Sequence, residues 1–384
     1  MLNKVFNISH ISAGFTAVLV GYTSSVVIII QAATAAGATP AQIESWLWAL
    51  GVAMGLSSLL FSWFYKRPVL TAWSTPGAAM LVAAVSQYDM PVIIGAFVIS
   101  GVLIVLTGLI TPLARLLERI PPYLGTAMLG AILLPFCLKA FQPLSSTPVV
   151  FLLMFGSYLV AKYFVPRYTM LILLLVGIAC AVFGGSFSHA GVALNLAQPQ
   201  WVTPRFDVLA MINLSLPLYV LTMLSQNLPG VAMMRSHGYE APVKPLLIGT
   251  GVTNVLFAPF GGFSVNLAAI SAAICMNDGV DADPKQRYRA VMWAGVFYLI
   301  AGVWATTVVA LFLALPKNIS QILAGLALLG TLLMCLQISF KEGKQQESAL
   351  LTFLITLSGA SFLGISATLW GLLVGMVYLK VTNK

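Results

Sequence analysis

The sequence predicts an all-α polytopic membrane protein of fourteen transmembrane segments, arranged as two sets of seven in opposite orientations. Three observations carry that prediction. The 384 residues are 60% hydrophobic and only 8% charged, with a mean hydropathy of +0.98, whereas a soluble domain carries roughly 25% charged residues. Lys and Arg fall almost entirely on one side of the loops that this segmentation defines. Two apolar segments, one in each half, are broken by Pro, Gly and polar residues at matching places.

A crossing needs about 20 apolar residues, and the apolar runs divide accordingly. Spans 1 and 2 cover about 13–35 and 43–63. Span 3, about 69–86, is broken by the stretch from Pro68 to Gly77. Spans 4 to 7 cover about 91–112, 122–139, 148–163 and 168–187. A polar connection with Pro199 and Pro204 follows, from Ser188 to Asp207. Spans 8 and 9 cover about 212–234 and 243–258, and span 10, about 261–277, opens on the second break. Spans 11 and 12 cover about 288–314 and 318–338. The last apolar block, Ala349 to Leu379, is too long for one ordinary helix and too short for two full crossings. With Gly359 and Gly364 near its middle, it reads as two short spans, 13 and 14.

Charge supports that division. With the N-terminus inside and fourteen crossings, only Lys139, Arg205 and Lys317 of the 19 basic residues fall outside. The positive-inside rule then puts both termini in the cytoplasm of a cell (inner) membrane protein. The net charge of +9 reports this bias rather than a nucleic-acid partner. The N-terminal residues show no cleavable signal pattern. Cys137, Cys180, Cys275 and Cys335 sit singly in apolar runs, without metal-ligand spacing, and read as small buried hydrophobes.

Seven plus seven implies an inverted repeat, since an odd-numbered copy re-enters the membrane upside down. The breaks fall on the third span of each copy. Pro68 to Thr75 and Pro259 to Asn266 are equal in length, and each leads into small residues expected to form a half-helix. Paired interruptions of this kind are the sequence mark of a transporter binding site, because exposed backbone at membrane depth survives only when buried in protein or lining a cavity.

The ten acidic residues and His10, His189 and His237 all map to loops or span ends, where they read as solvated residues. No nucleophile–base pair, metal cluster or phosphate loop emerges, so the chain is not read as an enzyme and no cofactor is expected. Uncharged polar residues do reach the expected midplane: Tyr22, Ser24 and Ser25 in span 1, Ser74 and Thr75 at the first break, Gln226 and Asn227 in span 8, Ser264 and Asn266 at the second break. A serine at such depth can simply bond back to its own helix, but two adjacent amides require a partner or a ligand. Half-helices starting after Thr75 and Asn266 would aim two positive ends at the centre, favouring an anion. Tyr22, Trp73 and Phe263 would supply aromatic walls. Glycine faces at Gly101 and Gly108, Gly249 and Gly251, and Gly325 and Gly330 would allow sliding contacts or ordinary close packing.

At these residues the sequence resembles a known family. KRPVLTAWSTPGAA (66–79), LPLYVLTMLSQNLPGVAMMRSHGY (216–239) and APFGGFSVNLAAI (258–270) resemble the BenE-type benzoate:proton symporters, over nearly the whole chain. The resemblance implies a uracil-transporter-like fold with a core domain of spans 1–4 (1–112) and 8–11 (212–316). The gate domain would comprise spans 5–7 (113–187) and 12–14 (317–384), with 188–211 an external connection. It implies an aromatic carboxylate and protons as partners in a lipid bilayer, with a homodimer as a further candidate. Uracil-type carriers place acidic side chains on spans 8 and 10, whereas this chain has Gln226, Asn227, Ser264 and Asn266 there. That suits an anionic substrate and leaves the coupling proton without an evident side chain. The alternative reading is a carrier or channel for another small anion or a neutral ring compound such as a nucleobase.

Overall fold

The computed structural model describes residues 7–110, 112, 120–187, 195–341 and 346–382. Lys4, Arg115, Arg119, Lys344 and Lys384 among the expected inner cations, Glu118 and Glu342 among the acids, and His189 lie outside these residues.

The described chain is mostly helical. The first half comprises α1 (Ile8–Ala35), α2 (Pro40–Tyr65), β1 (Thr71–Trp73), α3 (Thr75–Ala84), α4 (Met90–Leu109), α5 (Pro122–Lys139), α6 (Pro148–Phe164) and α7 (Thr169–Phe183). The second half comprises α8 (Val208–Ser236), α9 (Val243–Phe257), β2 (Val265–Leu267), α10 (Ile270–Met276), α11 (Tyr288–Val303), α12 (Ala305–Leu313), α13 (Lys317–Ser339), α14 (Gln346–Ser358) and α15 (Ala367–Thr382). Helix boundaries follow chain chemistry. Thr39 closes a capping box with Gln42 ahead of α2, and Pro40 takes the first helical position, where its missing N–H costs nothing. In α8, two wider turns, Met211–Ser215 and Met223–Asn227, each come just before a proline, Pro217 or Pro229. A proline cannot donate to the carbonyl four residues back and its ring crowds it, so the helix widens there.

Fourteen full-length crossings are not what the described residues contain. Eight helices are long and apolar enough to cross a membrane, or nine if α11 and α12, bent by 65° about Trp304, count as one. The broken segments explain much of the shortfall: α3 has 10 residues and α10 has 7. The terminal block forms two helices joined through Gly359 and Gly364, both at positive φ. At 1.5 Å per residue, even the 16-residue α15 reaches only about 24 Å, short of a hydrocarbon core of about 30 Å.

Packing is close where glycines meet. A Cβ on Gly51 of α2 would lie 2.5 Å from the Gly302 Cα on α11. Gly101 on α4 and Gly251 on α9 each face the other's carbonyl, and Gly325 on α13 sits on the Phe136 carbonyl of α5. These faces join tightly packed helix pairs, whereas Gly330 faces open space. Helix α6 buries Phe151, Met154, Tyr158 and Ala161, one helical stripe, and exposes Leu152, Leu153, Leu159 and Val160. Such an apolar outward face suits lipid. The connection after α7 is stitched down by backbone N–H groups: Ala197 to the Val303 carbonyl, Val202 to Pro259 and Arg205 to Pro91, all within 2.9 Å.

Candidate substrate site

The two broken segments meet. β1 and β2 pair antiparallel, with Thr71 opposite Leu267, Ala72 opposite Asn266 and Trp73 opposite Val265. A two-stranded ribbon leaves its outer N–H and C=O groups free, a costly state where no water competes. Side chains from three helices meet several of them. The Asn254 amide of α9 brackets Val265, accepting its N–H at 2.6 Å and donating to its carbonyl at 3.0 Å. Asn227 of α8 accepts the Leu267 N–H at 2.9 Å. On the β1 side, Ser58 of α2 accepts the Thr71 N–H at 3.0 Å, Ser62 accepts the Val69 N–H at 3.1 Å, and Ser57 lies 2.6 Å from the Thr71 hydroxyl. The ribbon is thus a fixed platform.

The predicted site residues take different places on it. Trp73 and Tyr22 pack edge to face with ring centroids 4.6 Å apart, and the Trp73 indole N–H donates to Ser25 at 2.7 Å. Ser24 and Ser25 both donate to the Gly21 carbonyl, the back-bond expected of helical serines. Ser74 caps α3 by accepting the Gly77 N–H at 3.0 Å, and Thr75, half-buried, opens the helix. Gln226 is half-buried on the wide turn of α8. Phe263 is fully buried against Trp46 and Phe97, at centroid distances of 5.7 and 5.2 Å. Ser264 adopts a left-handed φ of +46°, uncommon for a residue with a side chain. Three buried polar atoms around the ribbon have no protein partner: the Tyr22 hydroxyl, the Ser264 hydroxyl and Asn266 Oδ1. Asn266 spends its other amide atom on the Ser264 carbonyl, at 2.7 Å.

Two expectations need correction. The second half-helix starts at Ile270, four residues beyond Asn266, because Val265 to Leu267 stay extended to pair with β1. In α3, Pro76 has no N–H and Ser74 holds that of Gly77. The ribbon therefore presents side-chain polar atoms rather than two converging helix ends. His10 is also not a solvated loop residue. It lies in the first turn of α1, is 1% exposed, and its Nε2 is 2.8 Å from Asp281. Buried Arg287 donates to the carbonyls of Asp281 and Met276 at 2.8 Å and pairs with Asp278 at 2.6 Å. The Asp281 carboxyl sits below its ordinary value of 3.8: partial burial opposes ionisation, but the Asp283 N–H, His10 and Arg287 outweigh it. This clasp ties the start of α1 to the loop after α10.

Asn254, Ser57, Ser58 and Ser62 were not among the predicted residues. The available signal was an amide four residues before the Ala258–Pro259 break, and serines at one-turn spacing shortly before the Pro68 break. Among the described residues no group of three His, Cys, Asp or Glu side chains gathers as metal ligands.

Interrupted apolar segments, paired at depth and capped by amides from neighbouring helices, define a membrane transport protein. The chain belongs to the BenE family, described as "Benzoate membrane transport protein", which it matches over residues 4–381. It is 43% identical over 371 residues to "Inner membrane protein YdcO" of Escherichia coli (strain K12), covering 97% of this chain and 95% of that one. It is 35% identical over 376 residues to "Benzoate membrane transport protein" of Acinetobacter baylyi (strain ATCC 33305 / BD413 / ADP1), covering 98% and 95%. In fold it is similar to the transmembrane domain of the cyanobacterial bicarbonate transporter BicA, with a TM-score of 0.63 at 15% identity over 96% of this chain and 97% of that one. It is also similar to murine Slc26a9 in the inward-facing state, with a TM-score of 0.61 at 14% identity over 98% and 68%. The protein is a multi-pass membrane transport protein of the benzoate transporter family.

Proposed function

We propose that this protein is a secondary active transporter that takes up benzoate, or a closely similar aromatic carboxylate, together with a proton. The observation that carries the reading is the β1–β2 ribbon. The partnerless atoms of Asn266, Ser264 and Tyr22 lie on and around it, beside the Tyr22–Trp73 ring pair. No acid or base stands among these residues. The benzoate named for the Acinetobacter baylyi relative supports this substrate class.

Hydrogen-bond chemistry points to the species bound. A carbonyl only accepts, so the Asn266 contact with the Ser264 carbonyl must use Nδ2. That leaves the acceptor Oδ1 free for the ligand. A carboxylate has no hydrogen to offer it, whereas a carboxylic acid has one. The hydroxyls of Ser264 and Tyr22 can donate to the acid's carbonyl oxygen. On this reading the proton travels on the substrate, and coupling needs no acidic side chain.

The transport cycle would be alternating access. Fourteen segments, seven plus seven inverted, would form a core of 1–112 and 212–316 and a gate of 113–187 and 317–384. The tight pairings of α2 with α11 and α4 with α9, and of α5 with α13 and α14 with α15, agree with that grouping. The bias of basic residues supports cytoplasmic termini.

Binding to the purified protein tests the reading. The apparent Kd for benzoate should fall about tenfold per unit as pH drops between about 7.5 and 5.5, above a carboxyl pKa of about 4. Asn266→Ala should abolish most of that binding. Binding that ignores pH in this range would make the anion the bound species. No binding of any aromatic carboxylate would remove the substrate.

A further inference from the structure

A second feature bears on the substrate's path. A cavity of about 600 Å³ opens between the Ala35 end of α1, the end of α3, and helices α5, α12 and α13. That volume is within the roughly 300–1,000 Å³ of small-molecule sites. Its apolar wall includes Val27, Ile30, Phe136 and Phe312, and its charged groups are Lys139 and Lys317. Helices α1 and α3 each contribute both to this cavity and to the surroundings of the ribbon. On α1, Val27 lies about 3 Å along the helix from Ser25, and on α3, Val82 lies about 10 Å beyond Thr75.

Two observations set both lysines apart, and a third sets Lys317 apart, whereas Lys139 closes α5, where a cation is favoured. They are two of only three basic residues that the charge pattern places outside, and the third, Arg205, is held by Asp89 at 2.9 Å. Both are exposed, and among the described residues neither has an acidic partner. Lys317 opens α13, where a cation opposes the helix dipole, so helix stability does not account for it. No acid lines the cavity.

We propose that this cavity is a second carboxylate-binding site, a recruitment vestibule in series with the ribbon. Lys139 and Lys317 hold the anionic carboxylate, and the aromatic ring lies against Val27, Ile30, Phe136 and Phe312. The inference rests on the aromatic-carboxylate reading of the ribbon and adds a division of labour. The vestibule concentrates the abundant anion, and the ribbon accepts the scarce protonated acid.

The test is benzoate influx into sealed proteoliposomes, with Lys139→Gln, Lys317→Gln, the double variant and Lys139→Arg, each also measured for efflux. Unit charges 4 Å apart in water attract by enough to change an equilibrium about fivefold. Each Gln variant should therefore lower influx kcat/KM about fivefold, as a higher KM at unchanged kcat, and detailed balance requires efflux kcat/KM to fall by the same factor, there as a lower kcat. Lys139→Arg should stay close to wild type. Added salt should raise the wild-type KM and leave that of the double variant nearly flat. A double variant matching wild type in KM and salt response, while wild type transports benzoate, overturns the vestibule and leaves the ribbon reading intact. An influx defect confined to kcat with KM and salt response unchanged, or an Arg variant as impaired as Gln, assigns the lysines a structural role and overturns it too. A wild type that neither binds nor moves benzoate removes both readings.

Discussion

Replacing Asn254 by alanine tests whether the ribbon depends on its amide braces. Asn254 is 2% exposed, and its side chain makes two hydrogen bonds to Val265, at 2.6 and 3.0 Å. Val265 is itself fully buried, so the alanine variant leaves one N–H and one C=O without a partner or water. Each such group costs about 1–3 kcal/mol, giving about 2–6 kcal/mol together. Polar contacts measured within membrane proteins average only about 0.6 kcal/mol, so the lower half of that range is expected. The assay is equilibrium unfolding of the detergent-purified protein, with benzoate binding measured in parallel. Thr253→Ala is the internal control, since that half-buried hydroxyl only donates to the Gly249 carbonyl of its own helix. Its loss should cost less than about 0.5 kcal/mol. Asn227→Ala, which frees the Leu267 N–H and removes a weak contact to the Met223 sulfur, should fall between the two. If Asn254→Ala were as stable as Thr253→Ala and bound benzoate normally, the ribbon would not need bracing and the argument from backbone satisfaction would fail.

Two further predictions concern packing and pH. Gly51→Leu should separate α2 from α11, because even a Cβ would sit 2.5 Å from the Gly302 Cα. The cost should reach the upper end of the roughly 1–3 kcal/mol of overpacking, seen as a lower unfolding midpoint, and an unchanged midpoint would contradict the close crossing. Asp281→Asn should weaken the clasp to His10 and Arg287 by about 1 kcal/mol or less, given partial exposure. Because the folded Asp281 titrates below its ordinary value of 3.8, its stabilisation is complete above that value and is lost as pH falls through the lower folded one. The difference between wild type and variant, followed by unfolding midpoints across pH, should vanish in strong acid. A difference that grew on acidification would contradict the pairing.

Much of the architecture could be read from the chain, and the reason differs by element. Helices α5 and α9 sit almost where hydropathy and their flanking prolines put them, since apolar runs bounded by Pro leave little freedom. The break from Pro68 to Gly77 was legible because proline, glycine and polar side chains are costly at depth. Splitting the last block was legible from Gly359 and Gly364, which take positive φ at the turn. The start of α10 was not. Whether Leu267 is helical or extended depends on a partner, Thr71, almost 200 positions earlier. The buried state of His10 has the same cause, since Asp281 lies 271 residues away. Local sequence also hides the difference between an amide that binds a ligand and one that braces backbone. Asn227 and Asn266 looked alike, yet Asn227 holds the Leu267 N–H while Asn266 keeps an unpartnered oxygen.

Uptake of labelled benzoate into sealed proteoliposomes, corrected for passive entry of the acid into protein-free liposomes, tests the central claim most directly. A gradient with the outside acidic should drive saturable accumulation. Clamping the membrane potential should leave it unchanged, because the neutral acid carries no net charge. Unlabelled benzoate trapped inside should accelerate entry of the label by counterflow. Flux that follows voltage, fails to saturate and shows no counterflow would mark a channel, and would contradict coupled transport at the β1–β2 ribbon.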